Sequence, residues 1–419
     1  MPILDVERRG DGVSFPHLDS YRGVAVFLVI AFHTYQASGS PFHPSIAGTI
    51  IENFNVGVPI FFVLSGFLLS GPFLRAIITN APFPSIAKYA RNRALRILPA
   101  YYLALAILLP LENWSLLGHP LTYLPHFFFL QNFSLTTYGT IINPAWSLCV
   151  EVAFYVLLPF VMAFIYARQS TTRRRSSIVG LIVVMIAVAF LFRFALLVVL
   201  PGNPLNGQLR QTIWHNLPDY TDVFGLGLGL AYIQMQYPQF KLSRVATIGC
   251  FLAGTILFLI ATAITHVRLG YTLVNFLEGL CAIAIVAPSV LNSTMPKLIS
   301  TVLGSKVLRF TGQISYALFL WHAPLIPLLN KAHLWHDVKP GVAGYLMDYV
   351  ELVLVTGCVA AASYYLFERP FLRRKKLWMT KREPAIGQIQ PLGILSKSRG
   401  GAGILRPLSR GLTERAYAG

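Results

Sequence analysis

The sequence predicts an all-α, polytopic membrane protein of about ten transmembrane helices, with both termini cytoplasmic. Three observations predict it. First, 55% of the 419 residues are hydrophobic and only 12% are charged, about half the charged share of a soluble domain. The mean hydropathy is +0.60. Second, ten apolar runs recur at roughly 22–37, 55–74, 97–111, 146–167, 178–200, 219–235, 245–265, 271–291, 312–330 and 343–367. A helix needs about 20 largely apolar residues to cross a bilayer. Third, 28 of the 34 Lys and Arg residues fall in segments that ten spans assign to the side of the termini. Only Arg210, Arg268, Lys331 and Lys339 fall on the other side. That bias marks the cytoplasmic face.

The elements follow in order. Residues 1–17 read as a short cytoplasmic segment carrying Arg8 and Arg9, with no cleavable leader expected. Residues 18–370 form the membrane domain. Its third span, 97–111, is the shortest and is bracketed by Pro99 and Pro110. The outer loop 112–145 is long and aromatic, with Phe127-Phe128-Phe129, and is expected on the membrane surface or over a cavity. It holds two glycosylation sequons, at Asn113 and Asn132, relevant only in a secretory pathway. Residues 371–419 are basic without sustained apolar periodicity and read as a flexible cytoplasmic tail.

The net charge of +18 is then a topology signal, with a contribution from anionic lipid. Nucleic acid is not an expected partner; membrane lipids are. Cys149, Cys250, Cys281 and Cys358 lack metal-ligand spacing and read as small apolar residues. No metal and no permanently bound cofactor are expected. The absence of an internal repeat weakens an inverted-repeat transporter.

Ionisable groups inside spans are costly and are functional candidates by default. Arg22 and His33 lie eleven residues apart in the first span. Eleven helical residues turn about 1100°, so both share one face, about 16 Å apart along the axis. One polar face through the membrane suits a reaction that joins two compartments. The alternative is that Arg22 snorkels to the headgroups while His33 makes a helix contact. Arg93 and Arg96 stand at i, i+3 and share a face if helical. Paired guanidiniums suit phosphates, which points to a cytoplasmic phosphorylated donor; an ordinary positive-inside cluster is the plainer reading. Glu151 opens the fourth span at about the depth of His33, placed to orient an imidazole, to bind a sugar hydroxyl, or to pair with Arg193. His322 lies mid-span before Pro324, where packing and chemistry are equally open. Ser65 lacks the setting of a nucleophile elbow and reads as packing.

Six strings in this order are similar to the acyltransferase-3 family of integral membrane O-acyltransferases. They are Leu18-Asp19-Ser20-Tyr21-Arg22-Gly23 with His33, Asn55 to Phe67, Arg93 with Arg96, Trp146 to Glu151, Ser315 to Pro324, and Glu368-Arg369-Pro370. The resemblance covers roughly residues 18–371. Two departures stand out, Pro59 where the family often has an acid and Val152 where it usually has a second Glu.

The resemblance implies transfer of an acyl group, acetyl by default, from cytoplasmic acyl-CoA. The acceptor is a hydroxyl of a glycan, a lipid-linked sugar, a macrolide or a peptidoglycan component. A bacterial host implies the plasma membrane. Some members carry a fused extracytoplasmic esterase-like domain, for which this chain has no room. On that basis His33 is the expected general base, with Arg22 orienting the donor or stabilising negative charge. Arg93 and Arg96 hold the coenzyme A phosphates. Glu151, Trp146 and His322 shape the acceptor side. A transient acyl-histidine on His33 is the alternative to a general base, and the sequence does not separate the two. The rival class is a multi-pass transporter or flippase of a lipid-linked glycan or small solute, and a non-catalytic envelope scaffold is a third.

Overall fold

In hydrocarbon a chain must satisfy its backbone hydrogen bonds internally, so spanning segments are helices or closed barrels. Here they are helices. The computed structural model describes residues 15, 17–112, 114–168, 170–199, 212–267, 269–291, 293–332 and 341–373. Among them every regular element is helical. The helices are α1 (Leu18–Ala37), α2 (Ile46–Glu52), α3 (Gly57–Thr79), α4 (Ile86–Glu112), α5 (Pro120–Phe127), α6 (Trp146–Arg168) and α7 (Thr171–Val199). Then come α8 (Leu217–Gln236), α9 (Arg244–Ile264), α10 (Val274–Val290), α11 (Lys297–Leu303), α12 (Lys306–Gln313), α13 (Ser315–Lys331) and α14 (Val342–Ser363). A π-helical turn, Tyr364–Glu368, continues α14. The basic tail lies outside the described residues from position 374 onward.

Among the described residues, six stretches are long and apolar enough to cross a membrane: Ile46–Thr79, Ile86–Leu111, Asn143–Arg168, Arg173–Val198, Arg244–Ile264 and Val342–Arg373. Val274–Val290 is apolar but shorter. The expected spans at 22–37, 219–235 and 312–330 are also helical, as α1, α8 and α13. Two of them, α1 and α8, carry buried charged groups, Asp19 with Arg22 and Asp219 with Asp222, and such groups lower a helix's mean hydropathy.

Two of the boundaries that differ from expectation bear on the site. The third span is not a short segment bracketed by prolines. It is the second half of one 27-residue helix, α4, with Pro99 and Pro110 inside it. A proline costs one backbone hydrogen bond, but in a membrane bundle neighbouring groups and small local adjustments satisfy the freed carbonyl. The practical result is that Arg93 and Arg96 sit on a helix, one turn apart. The ninth span begins later than expected. The chain breaks at Ile314, between α12 and α13.

Burial separates the centre from the rim. Most of α3 is buried, whereas much of α7 is exposed. The α3–α8 contact depends on two glycines. A Cβ on Gly66 would meet the Phe224 carbonyl oxygen at 2.3 Å, and one on Gly227 would meet the Val63 carbonyl oxygen at 2.2 Å. Small residues let membrane helices approach this closely. Exposed Phe160, Phe164, Leu191, Phe194, Leu252 and Ile256 form the outer faces of α6, α7 and α9.

Two apolar cores result. One gathers α3, α6, α8 and α10, the other α4, α13 and α14. Helix α1 serves both: Leu18, Tyr21, Ala25 and Val29 enter the first, Val26 and Ile30 the second. Arg193 of α7 is buried with Asp219 and Asp222 of α8, at 2.8 Å from each. Asn275 of α10 donates to Asp219 at 2.9 Å. Arg193 is therefore not the partner of Glu151.

Candidate active site

Where the two cores meet, a cavity of about 640 Å³, its open mouth included, lies between five helices. Its polar lining comes from Arg22 on α1, Ser65 on α3, Arg96 on α4, Ser147, Glu151 and Tyr155 on α6, and Ser315 and Tyr316 on α13. Phe61, Phe62 and Phe319 supply much of its apolar wall. A concave apolar pocket with a few convergent polar groups is the form that ligand sites take.

The local sequence explains each placement. Arg22 sits one turn into α1, on a side buried to 8% exposure. Glu151 and Tyr155 are four residues apart on α6 and so share its face. The Tyr155 hydroxyl and the Ser65 hydroxyl both donate to Glu151 Oε1. The carboxyl group is thus held from two helices and oriented. Tyr316 donates to the Ile97 carbonyl at 3.0 Å, which ties α13 to the Arg96 turn of α4. Arg93, three residues before Arg96, lies within electrostatic reach of Tyr155. Glu368, buried at 4% exposure in the π-helical turn, lies within reach of Arg96. Turns of this type recur at functional sites.

His33 and His322 do not line this cavity; they face each other. His322 Nε2 is 3.2 Å from His33 Nδ1, with ring centroids 4.9 Å apart. His322 Nδ1 is 2.7 Å from the Phe319 carbonyl and 3.3 Å from that of Leu318. Carbonyls only accept, so this nitrogen carries the proton, and His322 Nε2 is the acceptor. His33 Nδ1 faces that acceptor and the Val29 carbonyl at 3.0 Å. It is therefore the protonated nitrogen, and the lone pair of neutral His33 is on Nε2. This assignment follows from the hydrogen-bond network. The Phe319 ring joins the pair to the cavity: it lines the cavity and contacts the His322 ring at 5.7 Å.

Trp146 stands apart from both. Its ring packs on His215 (4.0 Å between centroids) and on Tyr220 (5.7 Å). Tyr138 completes the cluster through a hydroxyl bonded to His215 Nδ1. Asn132 donates to the carbonyls of Trp146 at 2.8 Å and His215 at 2.5 Å. Among the described residues, no three His, Cys, Asp or Glu side chains gather as metal ligands.

The structure therefore brings Arg22, Arg96 and Glu151 to one cavity and pairs His33 with His322. Arg93 lies on the helix face beside the first group, and Trp146 forms a separate aromatic cluster. Sequence reasoning missed Tyr155, Tyr316 and His215, and took Ser65 for packing. The i, i+4 spacing of Glu151 and Tyr155 was the one available signal.

The chain is similar to YrhL of Bacillus subtilis, 23% identical over 416 residues that cover 87% of this chain and 58% of that protein. It is similar to the O-acetyltransferase OatA of Staphylococcus aureus, 23% identical over 86% of this chain and 57% of that protein. It is also similar to the peptidoglycan O-acetyltransferase OatA of Listeria monocytogenes, 22% identical over 91% of this chain and 61% of that protein. The chain spans less than two thirds of the length of these relatives. No solved structure matches it. A family model described as an acyltransferase domain matches residues 15–378, which takes in the cavity, the histidine pair and the aromatic cluster: the chain belongs to the acyltransferase-3 family.

Proposed function

We propose that the chain is a membrane O-acyltransferase that moves an acyl group, acetyl by default, from cytoplasmic acyl-CoA to a hydroxyl of a glycan acceptor. The names of the relatives favour a peptidoglycan-type glycan or its lipid-linked precursor among the acceptor classes above. Ten spans with both termini cytoplasmic are the topology we adopt, on the strength of the 28-to-4 division of Lys and Arg. In a bacterial host the membrane is the plasma membrane.

The observation that carries the reading is the cavity itself, where two guanidinium groups and one oriented carboxylate share a lining that the Phe319 ring joins to the His322–His33 pair. Arg93 and Arg96 bind the coenzyme A phosphates with forked donors. Arg22, about 16 Å along α1 from His33, orients the anionic groups of the donor. His33 Nε2 takes the proton of the acceptor hydroxyl as its oxygen attacks the thioester carbon. The C–S bond then breaks, the coenzyme A thiolate leaves, and the proton follows it. Glu151 accepts hydrogen bonds from the acceptor's hydroxyls. The same lone pair is also competent to attack the thioester directly, and acid-quench trapping of labelled protein separates the two routes.

The test uses the purified protein with labelled acetyl-CoA, with and without lipid-linked glycan. Coenzyme A release that depends on acceptor, and that a well-folded His33→Ala protein lacks, is the expected result. Failure to bind or consume acetyl-CoA or a longer acyl-CoA would overturn the donor assignment and bring the transporter reading forward.

A further inference from the structure

Residues 113–150 contain no Asp, Glu, Lys or Arg. A water-exposed segment of ordinary composition is about a quarter charged. The absence is accompanied by an inverted distribution of side chains. His126, Gln131, Asn132 and Thr137 are buried. Each is spoken for inside the protein. Asn132 reaches the Trp146 and His215 carbonyls. Gln131 donates to the Tyr101 hydroxyl at 3.3 Å, and Thr137 donates to the Gln131 carbonyl at 2.7 Å. His126 Nε2 lies 3.1 Å from Thr140 Oγ1. Burial pushes the His126 imidazole down, so it adds no charge at neutral pH.

The outward side is apolar. Trp114, Leu121, Phe128 and Phe133 are 71%, 86%, 69% and 69% exposed. Single exposed apolar residues need no explanation, but several on one uncharged segment do. A segment with polar groups inside and large apolar groups outside is the reverse of a soluble surface.

The neighbouring helix says what covers it. Tyr102, Ile107 and Leu111 are exposed on α4, a helix apolar enough to cross the membrane, and this face leads directly into Trp114. Tyr102 also donates its hydroxyl to the Phe127 carbonyl at 2.9 Å. The lipid-facing side of α4 and the α5 segment are thus one packed unit.

We propose that residues 114–135, comprising α5 and the 3-10 turns Trp114–Gly118 and Gln131–Phe133, lie within the interfacial layer of the bilayer, with Trp114, Leu121, Phe128 and Phe133 among phospholipid acyl chains. Aromatic side chains concentrate at that depth, and uncharged apolar faces bury there in the membrane plane. Through Asn132 the segment holds the first residue of α6, the helix that carries Glu151. The inference rests on α4 being a span and is independent of the chemistry proposed above.

The test reconstitutes wild type and Trp114→Phe into phosphatidylcholine–phosphatidylglycerol vesicles. The difference between their fluorescence spectra is the Trp114 signal. Lipid brominated near the headgroup end of its acyl chains should quench more than half of that signal, and aqueous iodide should leave it unchanged. Phe128→Trp in the Trp114→Phe background should regain a signal with the same quenching pattern, which guards against a local effect at position 114. Quenching by iodide and not by bromolipid would overturn the proposal. So would a signal insensitive to both, which would mean that another protein or a second copy covers the segment.

Discussion

His322 Nε2 sits 3.2 Å from His33 Nδ1, and backbone carbonyls behind both rings decide which nitrogens carry protons. His322 thereby holds one tautomer of His33. Replacing His322 by Leu should lower kcat about tenfold, the worth of one hydrogen bond, with KM for acetyl-CoA unchanged. His322→Gln, whose amide oxygen still accepts from His33, should recover most of the loss. Equal losses in Leu and Gln variants would remove the tautomer role and leave a packing one. The readout is steady-state kinetics at saturating and subsaturating donor.

Arg93 and Arg96 act on the donor, and their variants should differ from those of the histidines. Alanine at either position should raise KM for acetyl-CoA by about tenfold, since a hydrogen bond to a charged group is worth ~1.5–3 kcal/mol. Arg96→Lys should recover only part of it, because an ammonium lacks the forked donors of a guanidinium. Binding of desulfo-coenzyme A, measured by calorimetry, should weaken in parallel. A pure kcat effect would move these residues away from the phosphates.

The Arg193 cluster is structural. Its guanidinium donates to two carboxylates, Asp219 and Asp222, and no part of it lines the cavity. Arg193→Met should destabilise the protein by ~3–5 kcal/mol, because it strands buried carboxylates. Adding Asp219→Leu and Asp222→Leu should recover part of that loss. The check is the detergent melting temperature of each variant, with activity per folded molecule near that of wild type.

Helix α8 offers a contrast within one short run. Gly227 faces the Val63 carbonyl, so Gly227→Leu should prevent α3 and α8 from closing and abolish the monodisperse peak in size-exclusion chromatography. Gly229 has only the Ile182 side chain near its Cβ position, at 3.6 Å. Gly229→Ala should therefore fold normally and remain monodisperse. A tolerated Gly227→Leu would mean that this contact is wider than the structure has it.

Much of the site was readable because charge in hydrocarbon is rare. Arg22 and Glu151 stood out against apolar surroundings and Arg96 as half of an i, i+3 guanidinium pair, and each lines the cavity. Tyr155, Tyr316 and Ser65 did not stand out, because neutral hydroxyl side chains in apolar helices look the same whether they pack or bind. Pro99 misled for a related reason. It reads as a helix end in water, where a lost backbone bond goes to solvent. Inside a bundle the helix runs through it.

The sequence by itself determined that this chain is a bundle of membrane helices, because an apolar period long enough to span leaves the backbone no other way to satisfy itself. It also determined that Arg22 and His33 share one face, since that follows from helical geometry alone. Only the tertiary structure decided their partners. Arg22 lines one cavity with Arg96 and Glu151, 74 and 129 residues away, and His33 meets His322 across 289. Those meetings are set by which faces of α1, α4, α6 and α13 pack together, and packing depends on side-chain shape at distant positions, which no local pattern encodes.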